Sequence, residues 1–309
     1  MINIVKAALQ STVQDMGRIG FRHLGVGKAG AMDSLSLAVG NYLVGNTQGA
    51  AGLELIMPPA RIHFDQACVI ALTGAECSAQ LEGKAVVLGR AVQADSGQTL
   101  VLGAPRNGIC AYLSISGGID VPRVLGSCST DLQGGIGGLE GRLLRDGDSL
   151  KLHASDLPHP ARTAVLLPHL EGAIRVIPGP EFDSFGPESR AAFLEKPWRI
   201  GGASNRMAYR LEGPTLIRRD SQELRSHAVF PGVIQVPPGG APLVLMAEAQ
   251  ATGGYPKIAT VIEADLPKLA QTRPGTVVHF ELETRARARL AWQRQQIYLQ
   301  RLQRSLNEN

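Results

Sequence analysis

Apolar residues recur along this chain in short runs, each broken after a few positions by Gly, Pro, Asn or Asp. In the first half such runs cover 2–8, 61–64, 68–73, 85–88, 99–102 and 109–115. In the second half they cover 163–167, 173–177, 208–211, 233–236, 243–246, 258–262 and 276–282. Runs of this length and spacing predict many short strands, hence a mainly β sandwich or barrel rather than alternating βαβ units.

Helical periodicity is confined to four stretches. One starts at Asp33, a good N-cap, carries Leu35, Ala38, Tyr42 and Leu43, and stops at Gly45. A second runs from Pro187 to Lys196 and is closed by Pro197; a third follows Asp265, with Pro267 in its first turn. The fourth begins near Thr284 and is the long one. Its residues 288, 292, 295, 299, 302 and 306 are Ala, Trp, Gln, Leu, Leu and Leu, an apolar stripe with one polar exception. Arg287, Arg294 and Arg301 lie roughly opposite that stripe.

At 309 residues the chain exceeds the size at which a single core stops growing, so two domains are expected. The stretch His153–Gly172 holds three Pro and three His and is the predicted boundary. The expected division is a β-barrel domain over 1–155, a second over 173–283, and a C-terminal amphipathic helix over 284–309. No H-x-H or H-E-x-x-H spacing occurs, so the histidines read as a polar linker and no metal ligands are assigned.

Charge changes the picture less than it first promises. The net charge is +4, but six of the 31 basic residues and one of the 27 acids fall within 284–309, leaving 25 and 26 elsewhere. The basicity is local, unlike the spread basic face of a nucleic-acid groove. No apolar run approaches the ~18 residues of a membrane span, and the start is too short in apolar residues for a signal peptide; the cytoplasm is the expected location. Cys68, Cys77, Cys110 and Cys128 form no C-x-x-C pair and are expected as free thiols.

Four segments carry candidate chemistry. Gly25-Val26-Gly27-Lys28-Ala29-Gly30 fits G-x-G-x-x-G, yet the residues before it do not make a buried strand, so a tight turn is expected in place of a dinucleotide site. Neither a Walker-type loop nor G-x-S-x-G is present, and Ser114 and Ser116 are expected to face outward from a strand. Between Gly117 and Gly147 lie nine glycines, with Ser127, Ser129, Thr130 and Asp131 beside them and Arg142 and Arg145 after. These are materials for an anion site, or equally for barrel corners. Asn205 and Arg206 precede a strand, where the guanidinium could grip a carboxylate or phosphate bidentately. Glu248 through Lys257 places an acid, an amide, a hydroxyl, a phenol and an amine around Gly253-Gly254 at a strand end, where function usually sits.

Taken in order, these segments resemble one family. Thr12-Val13-Gln14-Asp15-Met16-Gly17-Arg18, Gly30-Ala31-Met32-Asp33, Leu43-Val44-Gly45-Asn46 and Leu53-Glu54 are similar to the opening of the allophanate hydrolase subunit 2, or biotin-dependent carboxyltransferase, family. Ser116 through Pro122, Gly126 through Thr130, Pro178-Gly179-Pro180, Ser204 through Met207 and Gln250 through Pro256 continue it over nearly the whole chain. Two departures are Ala208, where the family usually has Gly, and Glu248-Ala249-Gln250-Ala251-Thr252, where it has Asp-x-Gln-Thr-Thr.

The resemblance implies two cyclophilin-like β-barrel domains and a share in the ATP-dependent hydrolysis of 5-oxo-L-proline to L-glutamate. It also implies two partners: a B component resembling allophanate hydrolase subunit 1, and a third, A component. ATP would be bound by this chain or a partner, with Mg2+; no Met-Lys-Met occurs, so no covalent biotin is expected. On that reading Arg206 clamps the substrate carboxylate, Lys257 or Tyr255 stabilises charge, and Gln250 orients the lactam or a water. Thr252, Gly253 and Gly254 supply donors, and Asn205, Ser129 and Thr130 complete the substrate-binding set. Two other readings are a carboxyltransferase component served by biotin on another protein, as in urea amidolyases, and a regulatory binding protein that antagonises a kinase inhibitor.

Overall fold

A computed structural model of the protein describes residues 1–155, 164–168, 171–219 and 224–307. The chain forms two units, one of Met1–Ile19, Ala29–His169 and Ile297–Asn309, the other of Gly20–Lys28 and Leu170–Gln296. The fold is mostly β, built on two nearly closed barrel-like sheets with a C-terminal helix. Residues 156–163 and 169–170 of the expected boundary stretch, and Thr163 of one expected strand, lie outside the described residues. The rest of that strand, 164–167, makes only an isolated bridge from Ala164 to Arg90.

The first unit contains β1 (Ile2–Lys6), β2 (Gln10–Gln14), β3 (Gly52–Ile56), β4 (Ala60–Phe64), β5 (Cys68–Leu81), β6 (Lys84–Val86), β7 (Ala91–Ala94), β8 (Thr99–Ile115), β9 (Ile119–Asp120) and β10 (Ser149–Leu152). The order runs β2-β3-β8-β4-β1-β10-β9, while β5 pairs with β6, β7 and β8. The expected strands 99–102 and 109–115 are one strand. Its partner β5 follows it throughout, and register shifts near Gly74, Glu76 and Cys77 absorb the turn-like residues between. Alternate residues such as Ile2, Ile4, Leu53, Leu55, Leu100 and Leu102 fill the core.

Helix α1 (Ser34–Leu43) begins where Asp33 accepts a bond from the Ser36 amide at 2.9 Å. It packs outside the sheet, where a Cβ on Gly40 would lie 2.6 Å from Ser114 Oγ and 3.1 Å from Thr73 Oγ1. Ser114 is therefore buried beneath the helix, and Ser116 is buried with its Oγ taking a bond from the Val69 amide at 3.1 Å, both contrary to the outward expectation. Gly25 follows a short turn over Arg22–Leu24 rather than a strand.

The second unit contains β11 (Ile174–Pro178), β12 (Trp198–Ile200), β13 (Ala208–Glu212), β14 (His227–Ala228), β15 (Val233–Gln235), β16 (Leu243–Leu245), β17 (Thr252–Gly253), β18 (Lys257–Val261), β19 (Val277–Val278) and β20 (Phe280–Leu282). Eight of these run in the order β19-β12-β13-β16-β15-β18-β11-β20. The run 276–282 is thus two strands, and they form opposite ends of that order. Only His279 separates them, so the sheet must curl until its two edges meet. Phe193 stacks on Phe280 with centroids 4.9 Å apart, beneath α2 (Pro187–Glu195); α3 (Leu266–Ala270) follows β18.

Helix α4 (Arg285–Asn307) packs with only part of its stripe. Leu299 and Leu302 are buried in a cluster with Leu35, Val39 and Tyr42 of α1, while Trp292 remains 40% exposed.

Candidate functional site

The loop after β16 is built on an extension of the β13–β16 ladder. The Met246 amide donates to Met207 O at 2.8 Å and the Glu248 amide to Arg206 O at 2.9 Å. This places the two side chains together: Arg206 Nε donates to Glu248 Oε1 at 2.8 Å, and each side chain is 2% exposed. The guanidinium expected to clamp a substrate carboxylate is thus buried against a carboxylate of the protein itself. Asn205 is exposed, and its Oδ1 accepts from the amides of Met207 (2.9 Å) and Ala208 (3.3 Å), an Asx turn that starts β13.

Beyond Glu248 the loop turns outward. Gln250 is exposed, and its carbonyl accepts from Arg22 Nη2 at 3.2 Å; burial lowers the pKa of the Arg22 guanidinium from its ordinary value. Thr252 and Gly253 form β17 against β14, His227 opposite Gly253. A Cβ on Gly253 would sit 2.8 Å from Gln235 Nε2, and one on Gly254 3.1 Å from Leu224 O. The glycine pair is what lets this loop lie against Gln235 on one side and 224–226 on the other. Tyr255 is 45% exposed, and its carbonyl takes a bond from Gln235 Nε2 at 3.3 Å.

Lys257 opens β18 opposite Gln235. Its amide donates to Glu181 Oε2 at 2.8 Å and its Nζ lies 3.4 Å from the same oxygen, with the side chain 8% exposed. Gln235, Gly253, Gly254, Tyr255, Lys257 and Glu181 therefore come together, with Arg206 and Glu248 holding the start of the loop. Gln235 Oε1 and His227 Nε2 are buried without a hydrogen-bond partner among the described residues. Sequence reasoning missed Gln235, His227, Glu181 and Arg22. One signal was available for Glu181: Pro178-Gly179-Pro180 precedes it, and a Cβ on Gly179 would collide with the Lys257 backbone.

Ser129 and Thr130 lie in the first unit and are fully buried. Asp15 accepts from Ser127 Oγ and Ser129 Oγ (2.6 Å each) and from the amides of Cys128 and Gly17 (2.7 Å each). Arg18 Nη2 donates to Ser129 O at 2.5 Å, and Thr130 Oγ1 to Val13 O at 3.1 Å. A Cβ on Gly137 or Gly138 would collide with Ser129 O or Thr130 Oγ1, so these glycines serve close packing on 127–130. Arg142 is held bidentately by Asp148, which raises the guanidinium and lowers the carboxylate. Of the two sequence readings for this glycine-rich stretch, the packing one describes what these side chains do. Among the described residues no group of three or more His, Cys, Asp or Glu is placed to hold a metal ion.

Comparison with known proteins adds to this geometry. The family described as carboxyltransferase domain, subdomain A and B, matches residues 24–282. The C subunit of the Escherichia coli (strain K12) 5-oxoprolinase is 46% identical over 310 residues, all of both chains. That of Haemophilus influenzae is 38% identical over 308 residues, 100% of this chain and 99% of its own length. The crystal structure of the Kluyveromyces lactis urea carboxylase superposes with a TM-score of 0.91 at 30% identity, over 97% of this chain and 29% of that longer one.

Proposed function

Because the chain belongs to the carboxyltransferase domain, subdomain A and B, family, we propose that it is the C-type subunit of a 5-oxoprolinase, acting with A and B subunits to hydrolyse 5-oxo-L-proline to L-glutamate. The observation that carries this reading is the end-to-end similarity to a protein of that name, which leaves no part of either chain unmatched. The E. coli protein is called a subunit, which supports a multi-subunit assembly.

A lactam is a poor electrophile, and the ATP that drives the reaction would activate its carbonyl oxygen, with Mg2+ bound to the phosphates. The buried cations of the loop, Arg206 and Lys257, are already held by Glu248 and Glu181. That environment supports a reading in which the loop takes the lactam ring and a partner subunit binds ATP and Mg2+. Gly253, Gly254 and Thr252 then offer donors to the lactam or its developing oxyanion, and Gln250 orients the ring or the attacking water. Lys257 and Tyr255 stabilise charge at the loop's end. Arg206 and Glu248 fix where the loop begins. The complex works in the cytoplasm, where ATP is made; no helix among the described residues is long and apolar enough to cross a membrane.

The test mixes the three subunits and follows glutamate release from 5-oxo-L-proline with ATP. Release that disappears when this chain is omitted is the expected result; undiminished release without it overturns the reading. The likeness to the urea carboxylase supports a second reading, carboxyl transfer served by biotin on another protein. Turnover that requires a biotin carrier would select it.

A further inference from the structure

Helix α4 has two faces, and the chain covers one of them. Buried Leu299 lies nine residues, about two and a half turns, after Leu290, so the two side chains point in opposite directions. Leu290 and Ile297 are each 45% exposed and stand seven residues apart on the uncovered side. Arg287, Arg294 and Arg301 are exposed, also seven apart, and run beside them, since Arg294 and Arg301 follow Leu290 and Ile297 by four positions. With Leu290 and Ile297 at position a of a heptad, the three arginines occupy position e, and exposed Gln293 and Gln300 position d. This is the spacing by which one helix packs along another. It runs along one continuous helix and is fixed by helix geometry alone.

The charge on this helix is one-sided. Arg285–Asn307 holds six arginines, no lysine and no acid. Among the described residues no salt bridge reaches any of the six, whereas Arg142, Arg175, Arg190 and Arg206 are each paired with an acid. Arg285 and Arg287 stand in the first turn, where a helix favours acids, and Arg285 with Arg289 makes a like-charged pair four residues apart. Nothing within the helix offsets these charges; carboxylates brought from outside would. Arginine suits that contact better than lysine, because its planar fork grips a carboxylate bidentately and it is the cation enriched at interfaces. Other occupants fit poorly. A second copy of α4 brings no carboxylate. A strand of nucleic acid needs aromatic platforms, yet Trp292 lies about 160° round the helix from Leu290, and the Tyr298 hydroxyl is held by Leu166 O at 3.2 Å. A membrane surface needs a broad apolar face, and this one offers two large apolar residues.

We infer that the uncovered face of α4 docks a helix of another protein, one that presents carboxylates at seven-residue spacing beside apolar residues. Its carboxylates pair with Arg287, Arg294 and Arg301, and its apolar residues cover Leu290 and Ile297. Two apolar seam residues and two glutamines make a thin seam, so the contact is electrostatic first and sensitive to salt. Nothing in this docking depends on the reaction proposed above.

The test titrates the full-length chain into a fluorescent helical peptide of about three heptads, with Leu at a and d and Glu at e and g. Two controls carry the same composition in scrambled order, or Lys in place of Glu. The Glu peptide should bind at about 50 mM salt and at least about tenfold more weakly at about 500 mM, with both controls at least about tenfold weaker at low salt. The triple variant Arg287→Gln, Arg294→Gln, Arg301→Gln and the double variant Leu290→Gln, Ile297→Gln should each weaken binding about tenfold or more, while the melting temperature of these exposed-site variants holds within about 2 °C. The wild-type comparison of the three peptides decides the matter by itself if a variant fails to fold. No binding at about 1 mM Glu peptide overturns the inference, as does equal binding of the scrambled peptide or folded variants that bind as wild type. Tighter binding to vesicles of about one-third phosphatidylserine, or to poly(U), also overturns it. So does a dimer in sedimentation that the Leu290→Gln, Ile297→Gln variant abolishes.

Discussion

Replacing Arg206 by Met would leave the Glu248 carboxylate buried without its guanidinium. Both side chains are 2% exposed, so solvent screens little of the interaction. Removing one member of such a pair costs about 3–5 kcal/mol, and a second-unit transition should fall by on the order of 10–20 °C. Replacing both, Arg206→Met with Glu248→Leu, removes that charge as well and should recover most of the lost stability. Urea melts of the two variants measure this directly. Turnover then separates anchoring from substrate contact. If the pair only positions the loop, the double variant recovers kcat/KM to within about tenfold of wild type. A direct carboxylate contact by Arg206 would leave KM raised by at least about thirtyfold, an interaction of ~2 kcal/mol, despite restored stability. A single variant costing under about 1 kcal/mol would refute the premise that the pair is desolvated.

Four further outcomes follow from particular contacts. Ser114 Oγ is buried without a hydrogen-bond partner among the described residues, so Ser114→Ala should raise stability by about 1 kcal/mol in urea melts. Gly40→Ala should cost about 1–3 kcal/mol, and a double-mutant cycle should show that Ser114→Ala relieves part of that cost; strict additivity would contradict the contact. Burial raises the Asp265 carboxyl, but bonds from Arg175 at 2.6 and 2.9 Å, with Lys268 nearby, outweigh it and leave the group lowered. Its contribution is complete above the unfolded value of about 4 and is lost as pH falls through the lower folded value. Denaturation midpoints of Asp265→Asn should therefore be flatter than wild type across that acid range. Burial also raises the Cys68 and Cys128 thiols, so iodoacetamide at about pH 8 should label partly exposed Cys77 first. Rapid native-state labelling of Cys68 would count against its burial.

Much of the architecture was legible because local signals and tertiary packing agree. Asp33 does cap a helix, and Pro187, Pro267 and the arginine-rich periodicity do mark the other three. Where they disagree, long-range pairing decides. Gly103-Ala104-Pro105-Arg106-Asn107-Gly108 reads as a turn, yet Pro105 and Asn107 pair with Cys77 and Glu76 inside one bulged strand. Strand β2, Gln-Ser-Thr-Val-Gln, gives no alternating pattern because both faces are covered and its polar side chains bond within the protein, as Gln14 Nε2 donates to Thr12 Oγ1 and Thr130 O. The candidate loop was visible in its mixture of residue types and its glycine pair. Its partners were not: Gln235, Glu181 and Arg22 reach it only through sheet register and a contact 228 residues away in sequence. Arg206 looked like a ligand clamp for the same reason, since nothing in the sequence announces that Glu248 lies within 2.8 Å.

The interleaving of the two units bears on how the chain is made. Arg22 leaves the ribosome long before Gln250, the residue whose carbonyl it bonds, and at ~5–20 residues per second that gap of 228 residues lasts roughly 10 to 45 s. Helix α1 waits longer still for Leu299 and Leu302 to cover it. The first unit cannot finish during the synthesis of its own main segment, and the second draws in a segment made long before its own main segment begins. An unattached segment at 20–28 must persist on the nascent chain until the loop at 250 emerges, and an exposed face of α1 until the final helix does, both open to a chaperone in the interval.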